Sequence, residues 1–207
     1  MRIKKEGGFS GYHIYLNLAL DEAVGEYERT FTEIQNHPSF TEEIEEDETL
    51  GLIRLQYRLK QKFTTTILLA ACCVEALGNL FLAIKTTPDQ FASLERASFI
   101  EKWTVIPSQF LPEYTLPQDG QLYGDLRRLQ IYRNAIAHLK EEVIRGKTVV
   151  HSGSLPKTAS DEHVFISRCR TLPIRLVKHL IKFDQSTEPR LKLMAVTLSF
   201  KFPIEPP

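Results

Sequence analysis

Three side chains past the middle of the sequence have complementary chemistry. In "RNAIAHLK", residues 133–140, Arg133 and Asn134 stand together and His138 follows four residues after the asparagine. On a helix Asn134 and His138 are one turn apart and project from the same face. Arg133 lies about 140° from His138 around an ideal helix, a separation that a long side chain or a bend can close. The set supplies a group that titrates near neutrality, a permanent cation for a phosphate, and an amide to orient either.

Other familiar signatures are missing. There is no Gly-rich phosphate loop, no His-Glu-x-x-His, no Cys-x-x-Cys and no nucleophile elbow. His13, His37, His151, His163 and His179 each stand alone, and the ordinary reading of a lone histidine is a surface or satisfied core residue. The three cysteines, Cys72, Cys73 and Cys169, show no metal-ligand spacing. Adjacent helical residues point apart, so they read as buried, reduced thiols of a cytosolic protein. No metal and no cofactor is expected.

The positioning elements are mainly helices. The chain of 207 residues suits one domain with a substantial core. Hydrophobic residues at 43% and charged residues at 25% are ordinary for a soluble protein. Twenty-six basic residues balance 26 acidic ones, so a polyanion would need a local basic patch. The opening "MRIKKEGGFSGYHIYLNLAL" breaks at "EGG" and does not read as a signal peptide.

Between residues 11 and 36, Leu20, Val24, Tyr27, Phe31 and Ile34 form one apolar stripe of a helix, which "NHP" stops. The acidic run "EEIEEDE", residues 42–48, reads as a solvated connector and helix start. From about Glu48 to Lys85 no proline intervenes, which predicts a long helix, apolar on all sides at its end and hence central. Its segment 66–84 is long enough to span a bilayer, but Glu75 near its centre and Asn79 one turn later argue for a core helix and no membrane.

"KTTPDQ" ends that helix, "SLERASFIEKWTVI" predicts a short one, and residues 107–120, with three prolines, a loop. A second long helix runs from about Gln121 to Ile144, with Leu122, Leu126, Leu129, Ile136 and Val143 inward. Over residues 145–168 the pattern lapses, and "KTVVH" and "HVFIS" suit a hairpin or mobile excursion. A last helix follows a Thr171 cap and an early proline, with Ile174, Val177 and Ile181 on one stripe. The alternating tail, residues 188–207, suits a strand. The expected architecture is an all-α, up-and-down helical bundle over residues 1–187 with a small β appendage near the C-terminus.

"LRRLQIYRNAIAH", residues 126–138, following a long apolar helix and an "EKW" segment, resembles the motif helix of the HEPN family of small helical domains. The hallmark of that family is an arginine, usually followed by a polar residue, four to six positions before a histidine. Arg133, Asn134 and His138 fill those positions, and the order of elements agrees over roughly residues 10–185. The resemblance implies a homodimer that joins two motifs in one cleft, and a metal-independent endoribonuclease of toxin or defence type. It implies His138 as general base or acid, Arg133 as stabiliser of phosphoryl charge and Asn134 as orienting group. Toxin members paired with a nucleotidyltransferase antitoxin often carry a tyrosine two residues after the histidine. Here Lys140 stands there, which puts that regulation in doubt.

Lys140, Arg127 and Arg128, with Arg145 and Lys147, could add positive potential along an RNA path. Their plainer reading is solvated charge interspersed with Asp125, Glu141 and Glu142. Glu75 and Asn79 share a face of the most apolar helix, and a buried carboxylate needs a partner. They are therefore expected to face the motif helix, with Glu75 pairing with Arg133 or holding His138. Two other readings fit the same residues. One is a catalytically silent HEPN-like module that binds RNA or a protein; the other is a regulator similar to the mannitol repressor family, whose members also carry an arginine–asparagine pair before a histidine.

Overall fold

The computed structural model describes residues 12–37, 46–144 and 159–184, with the backbone alone at 12–13, 46–49, 138–144 and 159–160. Six α-helices follow one another among the described residues: α1 (Tyr12–Gln35), α2 (Glu46–Lys85), α3 (Pro88–Leu94), α4 (Val105–Ser108), α5 (Gln121–Ile144) and α6 (Ala159–Phe183). A 3-10 turn, Glu101–Trp103, precedes α4. The fold is all-α over this part of the chain. The expected β appendage, the tail 188–207 and the "KTVVH" run lie outside the described residues.

Cross-helix pairs give the directions. Glu26 pairs with Lys62 and Glu33 with Arg58, so α1 and α2 are antiparallel. Glu28 meets Ser167 and Arg170 while Phe31 stacks on His163, so α6 is antiparallel to α1 and parallel to α2. Asp125 meets Arg168 and Arg175 while Tyr132 meets Phe165, which makes α5 antiparallel to α6. The four long helices α1, α2, α5 and α6 therefore run up, down, up, down.

The spacing of apolar residues explains why they pack. Ile67, Ala70, Val74, Leu77 and Phe81 recur at three and four residues along α2, and all are fully buried. They share one core with Leu20, Val24 and Tyr27 of α1, Leu126 and Leu129 of α5, and Phe165, Leu172 and Val177 of α6. Burying each large apolar side chain stabilises the fold by about 1.5–3 kcal/mol before conformational entropy is charged against it. By length and composition α2 could cross a membrane, but 50% of its most apolar window is buried inside the fold. Packing against other helices accounts for that share of its apolarity.

The segment between α2 and α5 covers one end of the bundle. α3 starts at Pro88 behind a capping box, in which Thr87 Oγ1 accepts from Gln90 N–H and Gln90 Oε1 accepts from Thr87 N–H. The 3-10 turn then lies on α2, where the Trp103 indole N–H donates to the Val74 carbonyl at 3.0 Å. Gly78 makes this approach possible. A Cβ there would sit 3.2 Å from Lys102 Cβ and 3.3 Å from Trp103 Nε1. Farther on, Tyr114 Oη donates to the Trp103 carbonyl at 2.7 Å, and His179 Nε2 donates to the Thr115 carbonyl at 2.7 Å. The loop is thereby tied to both the turn and α6.

Three expectations need correction. "HVFIS", residues 163–167, is helical, and α6 begins at Ala159, well before Thr171. Phe165 and Ile166 are fully buried, so tertiary packing overrides a local β preference. Pro173 is internal to α6 and not near its start. It denies Cys169 a helical hydrogen bond, and the neighbouring Arg168 carbonyl accepts from Thr171 Oγ1 and Arg175 Nη2. Finally, Cys72 is exposed, whereas Cys73 and Cys169 are buried.

Candidate functional site

The motif lies in the second half of α5, away from the covered end. Phe63 of α2 meets the Tyr132 ring edge-on at 5.3 Å, which sets the level of Arg133 beside Lys62. Tyr132 is buried, whereas Arg133, on the same helical stripe as the buried Leu126 and Leu129, is exposed. Arg133 Nη1 donates to Asn134 Oδ1 at 3.2 Å. No carboxylate lies within 4.0 Å of Arg133 among the described residues. Among the described residues its charge is thus met only by a neutral amide. His138 and Lys140 are on α5, but their side chains lie outside the described residues.

The two remaining basic candidates differ in environment. Arg127 is exposed. Arg128 is folded inward, with its guanidinium 4.8 Å from the Phe165 ring centroid and 5.6 Å from that of Tyr132. It also donates to Tyr132 Oη and to the Asp161 carbonyl, both at 3.3 Å through Nη2. Arg128 therefore joins α5 to α6, while Arg127 makes no such contact among the described residues.

The expected Glu75–Arg133 pair does not form. Antiparallel packing brings Phe63, not Glu75, beside Tyr132. Glu75 lies twelve residues further along α2, roughly 18 Å along the axis. Its partner is Lys102 of the "EKW" turn, at 3.0 Å. The burial is also the reverse of expectation, because the Lys102 side chain is 0% exposed and that of Glu75 is 42% exposed. The costly buried charge is the lysine, and the carboxylate reaches in from the surface to match it. Asn79 follows one turn after Glu75, with its Oδ1 buried and without a hydrogen-bond partner among the described residues.

Another titratable group occupies the motif's end of the bundle. Glu162 of α6 is two residues before Val164, which the Tyr132–Phe165 contact puts level with Arg133. Burial raises the Glu162 pKa, opposed by the charges of Lys60 and Arg128. Nearby, Tyr27 Oη and His163 Nδ1 are buried without partners among the described residues. Burial first, then the charge of Glu162, keep the Tyr27 phenol neutral far into alkaline pH. His163 itself stacks on Phe31 with centroids 4.3 Å apart. The sequence signal for this group was "DEH" at 161–163, hidden by its reading as part of an excursion.

At the other half of α5 is a strong ion cluster. Asp125, 5% exposed, accepts from Arg175 Nη2 at 2.7 Å and pairs with Arg168 Nη1 at 3.3 Å. One carboxylate thus fixes two guanidiniums on the facing helix. Set against models of protein families, curated proteins and solved structures, the chain finds no match, and its chemistry is read from these residues alone.

Proposed function

We propose that the chain is a HEPN-like, metal-independent endoribonuclease that acts as a cytoplasmic homodimer, with Arg133, Asn134 and His138 as its catalytic set. The observation that carries this reading is the state of Arg133: exposed, free of carboxylates among the described residues, and hydrogen-bonded to Asn134. A structural arginine would be expected to spend its charge within the fold, as Arg170 does on Asp21 and Glu28.

The chemistry follows from the residue types. His138 takes the proton from a ribose 2′-hydroxyl, the 2′-oxygen bonds to the adjacent phosphorus, and the P–O5′ bond breaks as the 5′-oxygen takes a proton from water. Arg133 donates charge-assisted hydrogen bonds to the phosphoryl oxygens as negative charge gathers there. Asn134 Oδ1 is used by Arg133, which leaves its amide N–H groups to direct toward phosphate or histidine. The products are a 2′,3′-cyclic phosphate and a 5′-hydroxyl. DNA is spared because it lacks the nucleophile.

The outer face of α5 is compatible with pairing of two copies. Gly124, Arg127, Ile131 and Asn134 fall on one stripe at helical spacing. A Cβ at Gly124 would meet nothing within 4 Å, and Ile131 is 38% exposed. A second α5 laid there would bring the Asn134 and His138 positions of two copies together, with Arg133 about 100° round the helix from Asn134. With Lys140 in place of the modifiable tyrosine, any antitoxin partner would act by contact and not by nucleotide transfer at that position.

The experiment is RNA cleavage in EDTA by the wild type, Arg133→Ala and His138→Ala. Cleavage by the wild type with loss in both variants is expected. Equal activity in all three, or none in the wild type, refutes the ribonuclease reading; RNA binding without cleavage would indicate a silent binding module.

A further inference from the structure

The chain is neutral as a whole, but its charge is unevenly placed. From His163 to Phe183, α6 contains five basic residues, Arg168, Arg170, Arg175, Lys178 and Lys182, and no acidic one. Arg170 is spent on α1, where it pairs with Asp21 at 3.0 Å and Glu28 at 3.1 Å. The other four fall within about 80° of arc and along roughly 21 Å of helix. Arg168 and Arg175 share the buried Asp125, so one carboxylate serves two cations. Lys178 and Lys182 are exposed and have no carboxylate within 4.0 Å among the described residues. Among the described residues, four cations thus form a ridge over a single carboxylate.

We propose that this ridge is a phosphate-tracking surface for single-stranded RNA, leading along α6 toward the motif's end of the bundle. The assignment of RNA rests on the ribonuclease reading; the ridge deepens it by placing the strand. Arg168 and Arg175 are set in place by Asp125 and retain N–H groups beyond those it uses, so they need little ordering to meet a phosphate. The Arg168 end of the ridge lies four residues beyond Val164, which is level with Arg133, so the ridge runs along α6 toward the motif's end of the bundle. The ridge has no exposed large hydrophobic residue from Arg168 to Lys182. A membrane surface calls for apolar side chains beside the basic ones, and a protein hot spot for aromatic anchors. Cations aligned along one helix face without either match a polymer of phosphates.

The probe is a short, labelled 2′-O-methyl RNA strand, which offers the phosphates but no nucleophile. Its binding is followed by fluorescence anisotropy against salt concentration. The Lys178→Ala/Lys182→Ala variant should bind roughly tenfold more weakly at moderate salt, with the log–log salt slope reduced by about 1.4, the value for two lost single-strand contacts. Lys178→Arg/Lys182→Arg should bind as the wild type does. Unchanged affinity and slope in the alanine variant, or no binding by the wild type, overturn the ridge. Unmodified RNA separates the two claims: cleavage with no dependence on the ridge refutes the ridge alone, and ridge-dependent binding without cleavage refutes the nuclease alone.

Discussion

Replacing Tyr114 by phenylalanine removes one oxygen from the covered end of the bundle and tests how that end is held. The hydroxyl donates at 2.7 Å to the carbonyl of Trp103, a residue with no exposed surface. The helical donor for that carbonyl would come four residues later, but Pro107 stands there and has no N–H. The ring contacts of Tyr114 with His179 and Phe183, at 5.6 and 5.2 Å, survive the change. The loss is therefore one buried hydrogen bond whose acceptor is left unpaired, which costs about 2 kcal/mol. For a chain of this size that lowers the melting temperature by roughly 4–8 °C. Urea unfolding followed by circular dichroism measures it, with Tyr15→Phe at an exposed site as control. A loss for Tyr114→Phe no greater than the control's would show that the Trp103 carbonyl does not depend on this phenol.

Three further outcomes follow from the same structure. Asp125→Ala leaves Arg168 and Arg175 facing each other without their shared anion; because both are partly exposed, the expected loss is about 2–3 kcal/mol, below that of a fully buried pair, and urea unfolding would register it. Glu162 has a folded-state pKa raised by burial, so the folded chain holds its proton more tightly than the unfolded chain and stability falls as pH rises through that interval; Glu162→Gln should flatten this part of the stability–pH curve, and an unchanged curve would contradict the burial. Thiol labelling of the native protein should modify Cys72 and spare Cys169 and Cys73, whose pKa burial pushes up to about 12, with all three reacting after unfolding.

The long helices were legible because local and tertiary preferences agree in them. α1, α2 and α5 are proline-free, and their apolar residues recur at helical spacing, so their bounds follow closely from periodicity. α6 was legible only in its second half. Phe165, Ile166 and the proline at 173 favour a strand and a helix start when read locally, and burial against three other helices decides otherwise. The motif was readable as residue types, and its place on α5 with it. Its neighbours were not, because a pairing across two helices depends on register. The contact of Phe63 with Tyr132 moves Glu75 out of reach, and that of Tyr132 with Phe165 brings Glu162 to the motif's end of the bundle. The partner of Glu75 was hidden for a related reason: a lysine inside "IEKWTVI" looks like a surface residue until the turn folds onto Gly78.

The central claim is that Arg133 and His138 direct a 2′-hydroxyl onto phosphorus. Identification of the product ends by mass spectrometry, after incubation of RNA in EDTA with the wild type and with His138→Ala, tests it most directly. The account predicts 2′,3′-cyclic phosphate and 5′-hydroxyl ends, formed about 10²–10⁴-fold more slowly when the histidine is gone. Ends bearing a 5′-phosphate and a 3′-hydroxyl, or the same rate in both proteins, would contradict it.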